Sequence, residues 1–398
     1  MNAILNSRYE RAHEAMRAHG IDAWVITGRE TSILGEPALL HLMPAELMGR
    51  TTLILTRDGG RAAIVSYIES EELAASELFT EVIVYPNLDE YEPMVAEALK
   101  RGPLKRIAID TSVSDPSSDG LTHTQFLMLS RCLEAAGFQG ELVSSAPIMK
   151  CVRGKKSDLE VEKIAHTVAE AMKIFEEARL RMRLCMSGMD VQRLFQSIID
   201  RKGYGYSWHR GGNPYVSVGA RSSYNCKTPP SDVYIQPGDL VNVDLGVRID
   251  GFASDNQRSF YALHEGETQP PDEVQRAFKT IQRMNWEVCA AMKVGVHSDD
   301  LTAIGNRIML ECGYEQGWKF GYGHELGLFA HNGGIKAGYS PAMPELDKTL
   351  EKNMTFTLEP AILTSFGRLC QEEVVCVGEA GGRMLSLPQD EIWLIQEV

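Results

Sequence analysis

Between Leu240 and Val247 the chain alternates without a break: Val241, Val243, Leu245 and Val247 take one side of an extended strand, and Asn242, Asp244 and Gly246 the other. Asp250-Gly251, just beyond, is a strong two-residue hairpin signal. If the turn closes there, Ile249 pairs with Phe252, Gly246 faces Asp255, and Asp255 returns to the face that carries Asp244. The two acids then become diagonal cross-strand neighbours with Cβ atoms within about 8 Å. That separation suits metals about 3.5 to 4 Å apart, and without a cation the two carboxylates would repel. An exposed hairpin with two solvated acids fits the same spacing, so the reading depends on partners elsewhere in the chain.

Partners follow in sequence. Gly321-Tyr322-Gly323-His324-Glu325-Leu326-Gly327 sets a histidine in a glycine-rich turn, where backbone freedom lets an imidazole approach a site closely, and His331 comes seven residues later. The β run Thr355 to Pro360 delivers Glu359 at its end, and Glu372 opens the run Val374 to Val377. Four carboxylates and one imidazole form a hard, oxygen-rich donor set. It suits Mn, Co, Fe or Zn in a paired catalytic site better than a closed structural zinc.

Around this centre the chain is organised as two regimes. At 398 residues it exceeds what one hydrophobic core usually serves, so two domains are expected, 1-147 and 148-398. The first alternates helix-like and strand-like segments: helices at Arg8 to His19, Tyr91 to Lys100 and Thr124 to Ala136, strands at Ala23 to Thr27, Glu81 to Tyr85 and Arg106 to Asp110, and a strand pair across Asp58-Gly59-Gly60. That pattern predicts a small α/β domain. The second opens on Ser157-Asp158-Leu159-Glu160, which has capping-box spacing ahead of a long helix, and it contains further helices at Pro271 to Met292 and Ser298 to Cys312.

The net charge of -14 disfavours nucleic acid as a partner, since no surplus of Lys and Arg exists to neutralise phosphates. No apolar stretch reaches membrane-spanning length and the first residues lack a signal-peptide core, so a cytoplasmic protein with no membrane partner is expected. The eight cysteines form no CxxC pair and no dense framework, and are expected to be reduced.

These segments, in this order, resemble the creatinase/aminopeptidase P/prolidase family of peptidase family M24. The resemblance runs through Arg153-x-x-Lys156-Ser157-x-x-Glu160, Gly238-Asp239, Val243-Asp244-Leu245-Gly246 and Ser254-Asp255-x-x-Arg258-Ser259-Phe260. It continues through Gly323-His324-x-Leu326-Gly327 and Thr357-Leu358-Glu359-Pro360, and ends on Glu372, nine residues before Gly381. It implies an α/β N-terminal creatinase-like domain followed by an α+β pita-bread catalytic domain, with two divalent metal ions held by Asp244, Asp255, His324, Glu359 and Glu372. It also implies amide hydrolysis of a small peptide or small-molecule amide by an Xaa-Pro aminopeptidase- or dipeptidase-like enzyme. Glu359 would act as proton acceptor, His331 would steady the tetrahedral intermediate, and the chain would pair as a homodimer.

Three departures bear on the substrate. Peptidases of the family carry a further histidine about 12 residues before the Gly-Asp, where this chain has Cys226 or Lys227 within Ser223 to Thr228, and His209 is the nearest substitute. The prolidase-like Glu-x-Pro after the second histidine is replaced by Asn332-Gly333. The arginine two residues before the last glutamate is replaced by Cys370, which leaves Arg368 as the candidate for a substrate carboxylate. Trp208, with Tyr204, Tyr206, Tyr215, Tyr224 and Trp318, is a candidate groove lining, and Arg221 and Arg258 are further candidates for a carboxylate. A non-peptidase member acting on a small nitrogenous metabolite, as a C–N hydrolase or metal-dependent lyase, is the alternative. A binding protein without turnover ranks below it, because all five ligand positions are kept.

Overall fold

The computed structural model describes residues 2–102, 104–222, 229–314, 322–338 and 347–396. The chain divides into two compact units, Met1–Ser157 with Ala342–Asp347, and Asp158–Pro341 with Lys348–Val398. The first unit thus takes in residues 148–157, beyond the boundary expected from the sequence. The reason is packing: Ile148, Met149 and Val152 are buried in the same core cluster as Leu5, Tyr9 and Met16 of the first helix, Asn2–Ala18.

In the first unit a six-stranded sheet forms from β1 (Ala23–Gly28), β2 (Thr51–Thr56), β3 (Arg61–Val65), β4 (Glu81–Val84), β5 (Arg106–Ile109) and β6 (Glu141–Ser144). Its strand order is β4-β3-β2-β1-β5-β6, with only β2 antiparallel to its neighbours. The chain moves outward from β1 to β4, then crosses back to lay β5 on β1's other side. Strand alternation divides the core: Trp24 and Ile26 join the cluster against the first helix, while Ala23 and Val25 join the cluster under the helices Leu88–Leu99 and His123–Ala135. The strand pair across Asp58-Gly59-Gly60 is observed. The helix Tyr67–Ala75 and strand β6 were not read from the sequence, being short and weakly patterned.

In the second unit the strand read from the sequence is β8 (Leu240–Leu245), flanked by β7 (Tyr215–Val218) and, through the hairpin β9 (Val247–Ile249) and β10 (Phe252–Ala253), by β11 (Asn256–Ala262). Val241, Val243, Leu245 and Val247 are buried against the helices Asp158–Arg179 and Gly188–Lys202, through Phe175, Phe195 and Ile198 among others. The second helix was also missed in the sequence, although Ser187 and Asp190 form a capping box at its start. The carboxy-terminal strands are β12 (Thr355–Leu358), β13 (Ala361–Thr364), β14 (Gly367–Cys370) and β15 (Glu373–Cys376), with β12 on β15 and β13 on β14. No helix among the described residues is long and apolar enough to cross a membrane.

Candidate metal centre

The hairpin register decides where the two aspartates point. Ile249 pairs with Phe252, Leu245 with Asn256 and Asp244 with Gln257, so the pairing expected from Asp250-Gly251 holds along the ribbon. Asp255 therefore lies diagonal to Asp244 on the face opposite the apolar core. Gly246 is required here, because a Cβ at that position would run into the Trp208 ring and stand 2.6 Å from the Ser254 carbonyl. The glycine thus lets the indole settle beside the aspartate-bearing face.

His324 is brought in by pairing of its segment to the end of β12. Glu325 bridges Phe356, the Thr357 amide donates to the His324 carbonyl (2.9 Å), and a Cβ on Gly323 would strike the Thr357 carbonyl. Its Nε2 lies 3.6 Å from Asp255 Oδ2 and 3.5 Å from Glu359 Oε1, and Nδ1 faces the Glu325 carbonyl at 3.2 Å, which orients the ring. Glu359 follows directly on β12, and its amide donates to the Tyr322 carbonyl at 2.7 Å. Glu372 and Glu373 point to opposite sides. Glu373 is paired with the buried Arg258 (3.0 Å) and accepts from Ser386, while Glu372 faces the aspartates. All five expected ligands line one cavity of about 320 Å³ together with Ser207, Trp208, Tyr215, Phe329, Ala330 and His331.

Electrostatics show what this cluster lacks. Without a cation, burial pushes the Asp244 carboxyl up to about 7, and burial together with the Asp244 charge does the same to Glu359. Burial and the Glu372 charge hold Asp255 well above the carboxylate range, and burial and the Glu359 charge do so for Glu372. The His324 imidazole is held neutral by burial and by the neighbouring His331. Asp244 Oδ1 and Glu372 Oε1 are buried with no hydrogen-bond partner among the described residues. Ligand atoms from Asp244, Asp255 and Glu372, and separately from His324, Glu359 and Glu372, lie within 4.8 Å of one another. Orphaned carboxylate oxygens, mutual repulsion and a neutral imidazole are what a divalent cation would resolve, so the residues fit a metal.

Residues 160–380 match the model of metallopeptidase family M24, which is more than half of the chain. The chain belongs to that family. As an M24 member it is a metal-dependent hydrolase. It is 23% identical over 312 residues to an Xaa-Pro dipeptidase of Lactobacillus helveticus, covering 78% of each chain. It is also 28% identical over 165 residues to an Xaa-Pro dipeptidase of Pyrococcus furiosus, a match spanning 41% of this chain and 44% of the relative. An X-Pro aminopeptidase structure from Thermotoga maritima superposes with a TM-score of 0.75 at 20% identity, over 96% of this chain and all of that one. The fold is therefore the expected N-terminal α/β domain followed by a pita-bread domain.

The M24 site also contains residues that sequence reasoning placed differently. Arg258 is not available to a substrate: its side chain is 1% exposed, and it spends its donors on Glu373 and on the carbonyls of Gln257, Glu372 and Leu387. Arg221 is similarly taken up by Asp239, Gln236 and the Tyr234 carbonyl. Arg368 sends Nη1 to Asn242 Oδ1 and Gln257 Oε1, each at 2.6 Å, and Gln257 Nε2 donates to Glu372 (2.9 Å) and Glu359 (3.3 Å). Gln257 was overlooked. The signal was its register: it sits directly opposite Asp244, so its side chain shares the acidic face. Trp208 lines the cavity, stacked on Tyr215 at 5.6 Å, and the His331 ring stands edge-on to His324 at 4.2 Å. Cys226, Lys227, Tyr224 and Trp318 lie outside the described residues.

Proposed function

We propose that this chain hydrolyses Xaa-Pro bonds in small peptides, using two divalent ions held by Asp244, Asp255, His324, Glu359 and Glu372. The observation that carries this reading is the convergence, in one cavity, of four acids and one neutral imidazole with orphaned oxygens among them. The oxygen-rich donors suit Mn, Co, Fe or Zn. Bound there, the ions would lower the pKa of water and polarise the scissile carbonyl.

The chain's own residues supply the rest. Glu359 is 31% exposed whereas His324 and Asp255 are each 7% exposed, so Glu359 is the acid at the open side, placed to accept the proton of the attacking water and pass it to the leaving nitrogen. His331 sits on the rim beside His324, where it can donate to the oxygen of the tetrahedral carbon. The Trp208–Tyr215 stack and Phe329 form an apolar wall that suits a proline ring. Gln257 holds the carboxylates of Glu359 and Glu372, Arg368 holds Gln257 in turn, and both are positioning residues. We further propose a cytoplasmic homodimer. The named relatives favour peptide cleavage over the small-metabolite alternative.

The test is metal content of the purified chain measured alongside hydrolysis of an Xaa-Pro dipeptide and tripeptide panel after loading with Mn, Co or Zn. About two ions per chain with Xaa-Pro cleavage is the expected result. Two ions without peptide cleavage would remove the substrate assignment, and no bound ion would remove the site.

A further inference from the structure

The first unit contains a second polar cavity, of about 150 Å³, at the carboxyl end of β1. Open α/β sheets bind ligands outside the carboxyl ends of their strands where the strand order reverses. β1 stands at that point, because the chain runs outward from it through β2, β3 and β4 before returning to β5. Thr27 and Gly28 form one wall, the first turn of the helix His123–Ala135 another, and three arginines converge on the space: Arg29, Arg50 and Arg131.

In a chain of net charge -14, three guanidinium groups facing one small cavity call for an explanation. Arg131 has one, since Glu92 takes Nε and Nη2 at 3.0 and 2.6 Å. The guanidinium groups of Arg29 and Arg50 make no hydrogen bond or ion pair among the described residues. Glu92 is the one carboxylate in the lining and it also feels the Arg50 charge, so three arginines against one acid leave the lining with a surplus of positive charge. An independent observation lies at its wall: Thr27 is 2% exposed, and its Oγ1 is buried without a hydrogen-bond partner among the described residues. A buried hydroxyl can donate to an oxyanion, and leaving it unmet costs stability. The amino-terminal end of the helix adds positive potential on the same side.

We propose that this cavity is a binding site for a small oxyanion, a carboxylate or phosphate group, gripped by Arg29 and Arg50 and accepting a hydrogen bond from Thr27 Oγ1. The volume suits the charged group of a metabolite or peptide terminus, with the rest of that ligand outside. Guanidinium forks match either anion in a bidentate manner. Its lining residues all belong to the first unit, and none is a proposed metal ligand.

The test is calorimetric titration of the metal-loaded protein with inorganic phosphate and, separately, with acetate, at an ionic strength held constant with sodium chloride. Saturable binding of at least one anion, one per chain, is expected. Arg29→Gln and Arg50→Gln should each weaken it at least about tenfold, as loss of a charge-assisted hydrogen bond does, and Thr27→Val should weaken it severalfold. Arg29 is exposed, so its variant tests the site without disturbing the core. Binding of phosphate alone assigns a phosphate-bearing ligand, and binding of acetate alone a carboxylate. No saturable heat with either anion, or wild-type affinity in the Arg29→Gln/Arg50→Gln double variant, would overturn the proposal.

Discussion

Replacing Arg258 with methionine isolates what the buried arginine does. Its guanidinium is 1% exposed, as is Glu373, and the two meet at 3.0 Å. The same group donates to Gln257 O at 2.8 Å, Glu372 O at 3.0 Å and Leu387 O at 2.8 Å, tying β11, the start of β15 and the segment after it together. Methionine keeps much of the volume but leaves Glu373 buried without a cation, with the Ser386 hydroxyl and the Gln389 backbone left to meet it. Breaking one side of a buried pair costs about 3–5 kcal/mol, which for a unit of this size lowers Tm by about 6–20 °C. Thermal unfolding in the presence of a chelator reads this without interference from metal. The Arg258→Met/Glu373→Leu double variant should regain much of the loss, since it removes the stranded charge as well. Unfolding of Arg258→Met within about 1 kcal/mol of wild type, or an Arg258→Lys variant of full stability whose only defect is a raised KM, would refute the structural role and return Arg258 to the substrate.

Four further outcomes are expected. In chelated protein the folded state keeps protons on Asp244 and Glu359 up to about 7, and holds Asp255 and Glu372 well above the ordinary carboxylate range, whereas the unfolded chain releases these protons near 4. The linked stability is therefore full below about pH 4 and lost as pH rises through 7; melting scans should show Asp255→Asn/Glu372→Gln with a flatter decline between pH 5 and 8 than wild type. Adding a divalent ion should raise Tm in proportion to the logarithm of its concentration above Kd, and a Tm indifferent to metal would contradict the ligand assignment. Glu359→Gln should lower kcat by about 10²–10⁴-fold, measured at saturating metal. Gly246→Ala should cost about 1–3 kcal/mol from overpacking against Trp208, with a shifted tryptophan emission that an unstrained site would not show.

How far the site could be read from sequence follows from the range of each constraint. A two-residue turn and a period of two fix the side on which Asp244 and Asp255 emerge, so that part was legible locally. Glu372 and Glu373 could be separated for the same reason. The side-chain relay from Arg368 through Gln257 was not legible, because it joins residues 111 apart that are set together only by the packing of β14 against β8 and β11. Arg258 illustrates the opposite failure: an arginine on a site strand, three residues after Asp255, looks like a substrate group until burial and a partner at position 373 are known. The first unit's extent was misplaced because Ala146–Gly154 carries little periodic signal of its own, and its contacts with the first helix decide its allegiance.

The hairpin that unites the aspartates has a consequence for how this chain can vary. Because the ribbon from Asp244 to Asp255 holds one register throughout, lengthening one arm by a single residue would turn the next acid toward the apolar layer, whereas adding one residue to each arm would lift the turn and leave both carboxylates in place. Insertions here are thus tolerated in matched pairs and forbidden singly. The eleven-residue step between the two acids is one member of a permitted series, set by the parity of the strand and closed to its even-numbered neighbours.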